Sequence, residues 1–153
     1  MRATRLPNGV RVLSEELADL PSVTVGIWVE NGSRYEAPEH VRHNHWTLSG
    51  DWTVMAEATV LNEPKGRVAF RFDARDVHLV MGPAADGSVP FSVSIDGAPP
   101  GAAAGSDIDA DGSGELIQPR MYQLIRQQGP ITDRLFEIQF LDGGAAAYAF
   151  TFG

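Results

Sequence analysis

The chain has 153 residues and a mass of 16.5 kDa, room for one ordinary domain and an appended element but not for two full domains. Its 43% hydrophobic and 21% charged residues lie in the globular range, and no run approaches the eighteen or so apolar residues of a membrane helix. Twenty acidic against twelve basic residues give a net charge of -8, which opposes attraction to nucleic acid and to anionic lipid, so neither is an expected partner and no membrane insertion is expected. With no cysteine, the chain by itself has no disulfide, thiolate nucleophile, CxxC pair or Cys-based zinc site. The first residues run from Arg2 to Pro7, Asn8 and Gly9 without an apolar stretch, so no secretory signal is expected and targeting leaves the compartment unread.

Residues 9–16 and 22–30 alternate apolar and polar positions, with Val23, Val25, Ile27 and Val29 on one side. They predict two paired strands, with Asn31-Gly32-Ser33 as the closing turn. From Arg34 to Asn44 the pattern dissolves into charged residues, histidines and Pro38, which reads as a linker. Five period-two runs follow: Trp52–Leu61, Arg67–Phe72, Val77–Met81, Phe91–Ile95 and Phe136–Leu141. Val68, Phe70 and Phe72 share a face, as do Val77, Leu79 and Met81, and Phe91, Val93 and Ile95. Met121–Arg126, between Pro119 and Pro130, reads as another strand, and Tyr148, Phe150 and Phe152 as the last. The stretch from Gly97 to Gly114 is too long for a hairpin turn and reads as a functional or mobile loop. Short strands at this spacing predict an all-β chain: a two-sheet antiparallel β-sandwich with an N-terminal β-hairpin. The expected division is a hairpin over 1–38, a linker over 39–44 and the sandwich over 45–153.

Thr4-Arg5-Leu6-Pro7-Asn8-Gly9-Val10-Arg11-Val12, Ser22 to Val29 and Gly32-Ser33-Arg34-Tyr35-Glu36 resemble the start of insulinase/pitrilysin-type zinc peptidases and mitochondrial-processing-peptidase-like proteins. In that family an inverted His-x-x-Glu-His helix follows, whose two histidines bind zinc. His40, His43 and His45 do not reproduce it, so the peptidase chemistry is not carried over. From His45 to Gly153 the chain resembles the C-terminal domain of DipZ-type thiol:disulfide interchange and cytochrome c biogenesis proteins. The matching residues are Leu48 to Val54, Phe70 to Pro83, Pro119 to Arg126, Phe136 to Asp142 and Ala149 to Gly153. The resemblance implies a jelly-roll, carbohydrate-binding-module-like sandwich, lying after a thioredoxin-like domain and outside the cytoplasmic membrane. A glycan or that thioredoxin-like domain is the implied partner.

Several clusters have two readings. Asp107, Asp109, Asp111 and Ser113, with Gly112, reproduce the opening of a calcium loop, but Gln118 stands where a bidentate Glu belongs; an acidic surface turn is the other reading. His40, His43 and His45 beside Glu39 suit zinc or copper, or are solvated linker histidines. Trp46, Trp52 and Tyr122 have rings that suit the apolar face of a pyranose, or they fill the core. Arg71, Arg75, Arg120, Arg126 and Arg134 alternate with Asp73, Asp76, Asp133 and Glu137, the pattern of cross-strand ion pairs. No catalytic nucleophile is evident, so a non-catalytic binding or interaction module is expected, with an inactive metallopeptidase remnant as the alternative. Calcium is the one cofactor the sequence suggests, and the oligomeric state is not readable.

Overall fold

In the computed structural model, residues 2–5, 11–14 and 41–153 are described. Ten strands between residues 46 and 152 form two antiparallel five-stranded sheets, the sandwich that the alternating runs predict. Beside them, β1 (Arg2–Arg5) pairs with β2 (Arg11–Ser14), with Arg2 opposite Ser14 and Arg5 opposite Arg11. The N-terminal pairing is thus between 2–5 and 11–14. The predicted partner strand at 22–30, the turn at 31–33, most of the peptidase-like segment, and Glu39 and His40 lie outside the described residues.

The remaining strands are β3 (Trp46–Ser49), β4 (Trp52–Val54), β5 (Thr59–Leu61), β6 (Arg67–Phe72), β7 (Asp76–Pro83), β8 (Val89–Ile95), β9 (Ser113–Leu116), β10 (Arg120–Arg126), β11 (Arg134–Phe140) and β12 (Ala145–Phe152). The first sheet has the order β10-β7-β12-β5-β4 and the second β3-β6-β11-β8-β9. The run predicted as one strand over Trp52–Leu61 is two. Its alternation continues through Met55-Ala56-Glu57-Ala58, but the chain reverses there, with the Met55 N–H donating to the Ala58 carbonyl at 2.8 Å.

Period-two patterning explains the core. Val77, Leu79 and Met81 of β7 face Val68, Phe72, Phe136, Ile138 and Phe140 of β6 and β11, and all are buried. A register shift between Gln123 and Ile125 in β10 disturbs the strict alternation, and Leu124 and Ile125 are both fully buried. The inner faces meet through an aromatic chain. Trp52 lies edge-on to Phe140 at 6.0 Å, Phe140 to Phe91 at 6.3 Å and Phe91 to Tyr122 at 6.3 Å, so rings of the first sheet stand at both ends and rings of the second between them.

Residues 41–44, the described end of the predicted linker, lie on the outside of the second sheet. Val41 is buried with Ala69 and Leu135, and its carbonyl accepts from Arg71 Nε at 2.7 Å. The Asn44 N–H donates to the Arg71 carbonyl, while the Arg75 and Asp76 N–H groups donate to the Gly153 carbonyl. The entry to β3 and the end of β12 therefore meet at the β6–β7 connection.

Candidate functional site

Two of the three aromatic side chains expected to stack on sugar are core residues. Trp52 is 5% exposed and Tyr122 is fully buried, so neither offers a ring face to a ligand. Alternation places them on one side of their strands, and a second sheet covers that side. Trp46 is half-buried and packs against the core beside Phe70, its cross-strand partner. The Tyr122 hydroxyl organises the turn before β10: it accepts from the Ile117 and Gln118 N–H groups at 3.1 and 3.3 Å and donates to the Gln118 carbonyl at 2.9 Å. The Arg120 guanidinium lies 3.7 Å above its ring and closes the edge of the core. Tyr122→Phe keeps the packing and strands those backbone groups, so it should lower stability by roughly 1–2 kcal/mol in chemical denaturation; an unchanged midpoint would show that water replaces the hydroxyl at no cost.

The long segment after β8 contains regular structure. Gly101–Ala103 forms a 3-10 turn, and the last residues of the segment, from Ser113, begin strand β9, which pairs with β8 from Val89–Leu116 to Ser92–Ser113. The Asp107 carboxylate points toward β10. It accepts from Arg120 at 2.7 Å and from the Gln123 N–H at 2.7 Å. Asp111 accepts from the Ser113 N–H at 2.9 Å, an Asx-type turn contact that lowers its pKa, while Asp109 and Ser113 are exposed. The expected calcium set is therefore divided: Asp107 is committed to Arg120, and Asp111 to its own turn. Among the described residues no three His, Asp or Glu side chains gather as a metal site. Ser106, Asp107, Ile108, Asp109, Ser113, Gly114 and Glu115 line an open hollow of about 400 Å3 beside this loop.

Burial pushes the Asp107 carboxyl up, but the Arg120 and Gln123 hydrogen bonds and the nearby positive charge outweigh it and hold the carboxyl below its ordinary 3.8. A folded-state value below the unfolded one stabilises fully above 3.8 and is lost as the pH falls through the lower folded value. Asp107→Asn should therefore cost about 1–3 kcal/mol near neutral pH, and the gap between parent and variant should close under acid. Urea titrations across that range check it; a gap that persists unchanged into strong acid would remove the carboxylate's charge from the account.

Of the linker histidines, His43 stands between Asp73 and Asp133, with Nε2 at 3.4 Å from one and Nδ1 at 3.5 Å from the other. His45 is exposed. Of the expected ion pairs, Arg126 and Asp76 meet across β10 and β7 at 3.8 Å, and Arg71 of β6 meets Asp133, just before β11, at 3.6 Å. The strand register also assembles a polar surface that the sequence reading does not identify. On the outer face of the second sheet, Arg67, Ser92, Ser94, Gly97, Glu137 and Gln139 line a groove of about 280 Å3. Arg67 and Glu137 approach to 4.0 Å within it. The alternation of each run contains these residues, but their assembly depends on which strands pair and in what register.

A family model described as the thioredoxin like C-terminal domain matches residues 25–153, from well before His45 to the last residue. Over 38 residues the chain is 47% identical to a probable mitochondrial-processing peptidase subunit beta from Arabidopsis thaliana, a match covering 25% of this chain and 7% of that protein. Among solved structures, a family two carbohydrate esterase from Clostridium thermocellum in complex with cellohexaose superposes with a TM-score of 0.55 at 9% identity, over 71% of this chain and 31% of that one. A family two carbohydrate esterase from Cellvibrio japonicus gives 0.50 at 11% identity, over 70% and 30%. These two structures share the fold. The chain thus spans under a third of each esterase and under a tenth of the peptidase subunit.

Proposed function

Because the chain belongs to the thioredoxin-like C-terminal domain family, we propose that it is a non-catalytic accessory module that binds glycan, of the kind found after the thioredoxin-like domain of extracytoplasmic DipZ-type proteins. The observation that carries this reading is the family match across the whole sandwich. The shared fold with an esterase solved with cellohexaose favours a glycan over a protein partner as the first ligand to test. In this reading residues 45–153 are the binding module, and the segment before residue 39 is a peptidase-start hairpin joined to it through residues 39–44. The short likeness to the processing-peptidase subunit supports that origin for the hairpin.

A glycan array followed by isothermal titration tests the function. Saturable binding of a neutral oligosaccharide is expected. Silence across the array, with binding to a thioredoxin-like domain instead, would replace the sugar reading with a protein-interaction module. Zinc-dependent peptide hydrolysis lost on His43→Ala would overturn the non-catalytic reading altogether.

A further inference from the structure

The strand register places one polar side chain from each strand of the second sheet in a single line. Ser49 is paired with Arg67, Arg67 with Gln139, Gln139 with Ser92, and Ser92 with Ser113. Cross-strand partners share a face, and the neighbouring positions Leu48, Val68, Ile138 and Val93 are buried core, so the five polar residues all lie on the outer side. Glu137 and Ser94 form the start of a second row beside the first, and the groove lies over both.

We propose that this row binds an extended, neutral oligosaccharide running across the strands. Three features select that ligand. Successive side chains in the row stand about 4.8 Å apart, the spacing of neighbouring strands, which is close to the length each pyranose adds to an extended glycan chain. The amide of Gln139, the guanidinium of Arg67, the carboxylate of Glu137 and the serine hydroxyls supply donors and acceptors suited to vicinal hydroxyl pairs. The groove's single Arg and single Glu face each other at 4.0 Å, so their charges offset and neither a polyanion nor a polycation is favoured.

Part of the apolar surface of the same face is already occupied. Ala69 and Leu135 are covered by Val41, the side chains lining the groove are polar, and beyond Gln139 the apolar Leu141 is exposed beside Pro90. The row itself presents only polar groups, which suits a hydroxyl-rich chain and makes a protein partner seated there depend on Leu141 at its margin. The groove's volume of about 280 Å3 and its position across the strands suit a shallow, chain-following contact.

The inference rests on the glycan reading and is tested separately from it. Cellohexaose, xylohexaose and chitohexaose are titrated into the whole chain and into Gln139→Ala, Arg67→Ala and, on the outer face of the other sheet, Met121→Ser, each verified as folded by its melting curve. The expected result is binding of at least one hexasaccharide by the parent, weakened roughly tenfold by Gln139→Ala and by Arg67→Ala, as the loss of hydrogen bonds to a bound hydroxyl pair predicts, and unchanged by Met121→Ser. Where melting shows Arg67→Ala to be unfolded, Ser92→Ala replaces it. Parent-like binding by both row variants would overturn the row as the site and leave glycan binding standing. No binding of any of the three by the parent would overturn the row as a site for an extended neutral glycan, and silence across the glycan array as well would overturn the glycan reading.

Discussion

Phe140→Ala should lower the stability of the sandwich by about 3–5 kcal/mol, the range found when a fully buried aromatic is truncated. Phe140 has no exposed surface and sits between Trp52 of the first sheet and Phe91 of the second, at 6.0 and 6.3 Å. Its loss removes apolar contact and breaks the run of edge-on rings across the sheet interface, and the β-strand backbones on either side cannot close the gap. At about 2–4 °C per kcal/mol for a chain of this size, the melting temperature should fall by roughly 6–20 °C. A fall of under a degree or two in a thermal scan would mean that the two sheets do not pack through this residue.

Gly112→Ala should be nearly as damaging, at roughly 2–4 kcal/mol, for a backbone reason. Gly112 has φ +91°, where a side chain is strained, and a Cβ there would fall well inside contact distance of the Val93 carbonyl oxygen. The same glycine accepts from the Val93 N–H at 2.8 Å and donates to the Asp109 carbonyl at 2.9 Å, so it leads the loop into β9. The comparison that isolates the clash is Gly97→Ala, which also has a positive φ of +76° but meets nothing within 4 Å. It should cost only about 1 kcal/mol. Equal effects of the two substitutions in denaturant titrations would show that strain alone, and not the contact with β8, governs this loop.

The parts of the fold readable from the sequence were those in which burial alternates along a single strand. Arg67–Phe72, Val77–Met81, Phe91–Ile95 and Phe136–Leu141 correspond to β6, β7, β8 and β11 within one or two residues at each end. Strand β9 was hidden because Ser-Gly-Glu-Leu has little strand propensity of its own and is held by pairing with β8. Strand β3 was hidden by its place beside the histidines, and the β4–β5 reversal by alternation that runs on through the turn. At the site, alternation gives the side of a strand that a residue takes but not what lies over that side, which is why Trp52 and Tyr122 read equally well as ligand-facing or core. The spacing of Asp107, Asp109 and Asp111 likewise suggests convergence, yet Asp107 is claimed by Arg120, a partner thirteen positions away that only the tertiary fold brings near. Arg67, Gln139 and Ser92 carry no local motif. Their alignment is a property of register between strands distant in sequence, and such register is set by the packing of the opposite faces.

Residue 44 and residue 153 converge on the β6–β7 connection, which forms one pole of the sandwich. The line through Ser49, Arg67 and Gln139 crosses β6 at Arg67, its end remote from Phe72 and thus from that pole. The polar line and that pole therefore lie toward opposite ends of β6, so a molecule bound along the line would leave residues 44 and 153 uncovered.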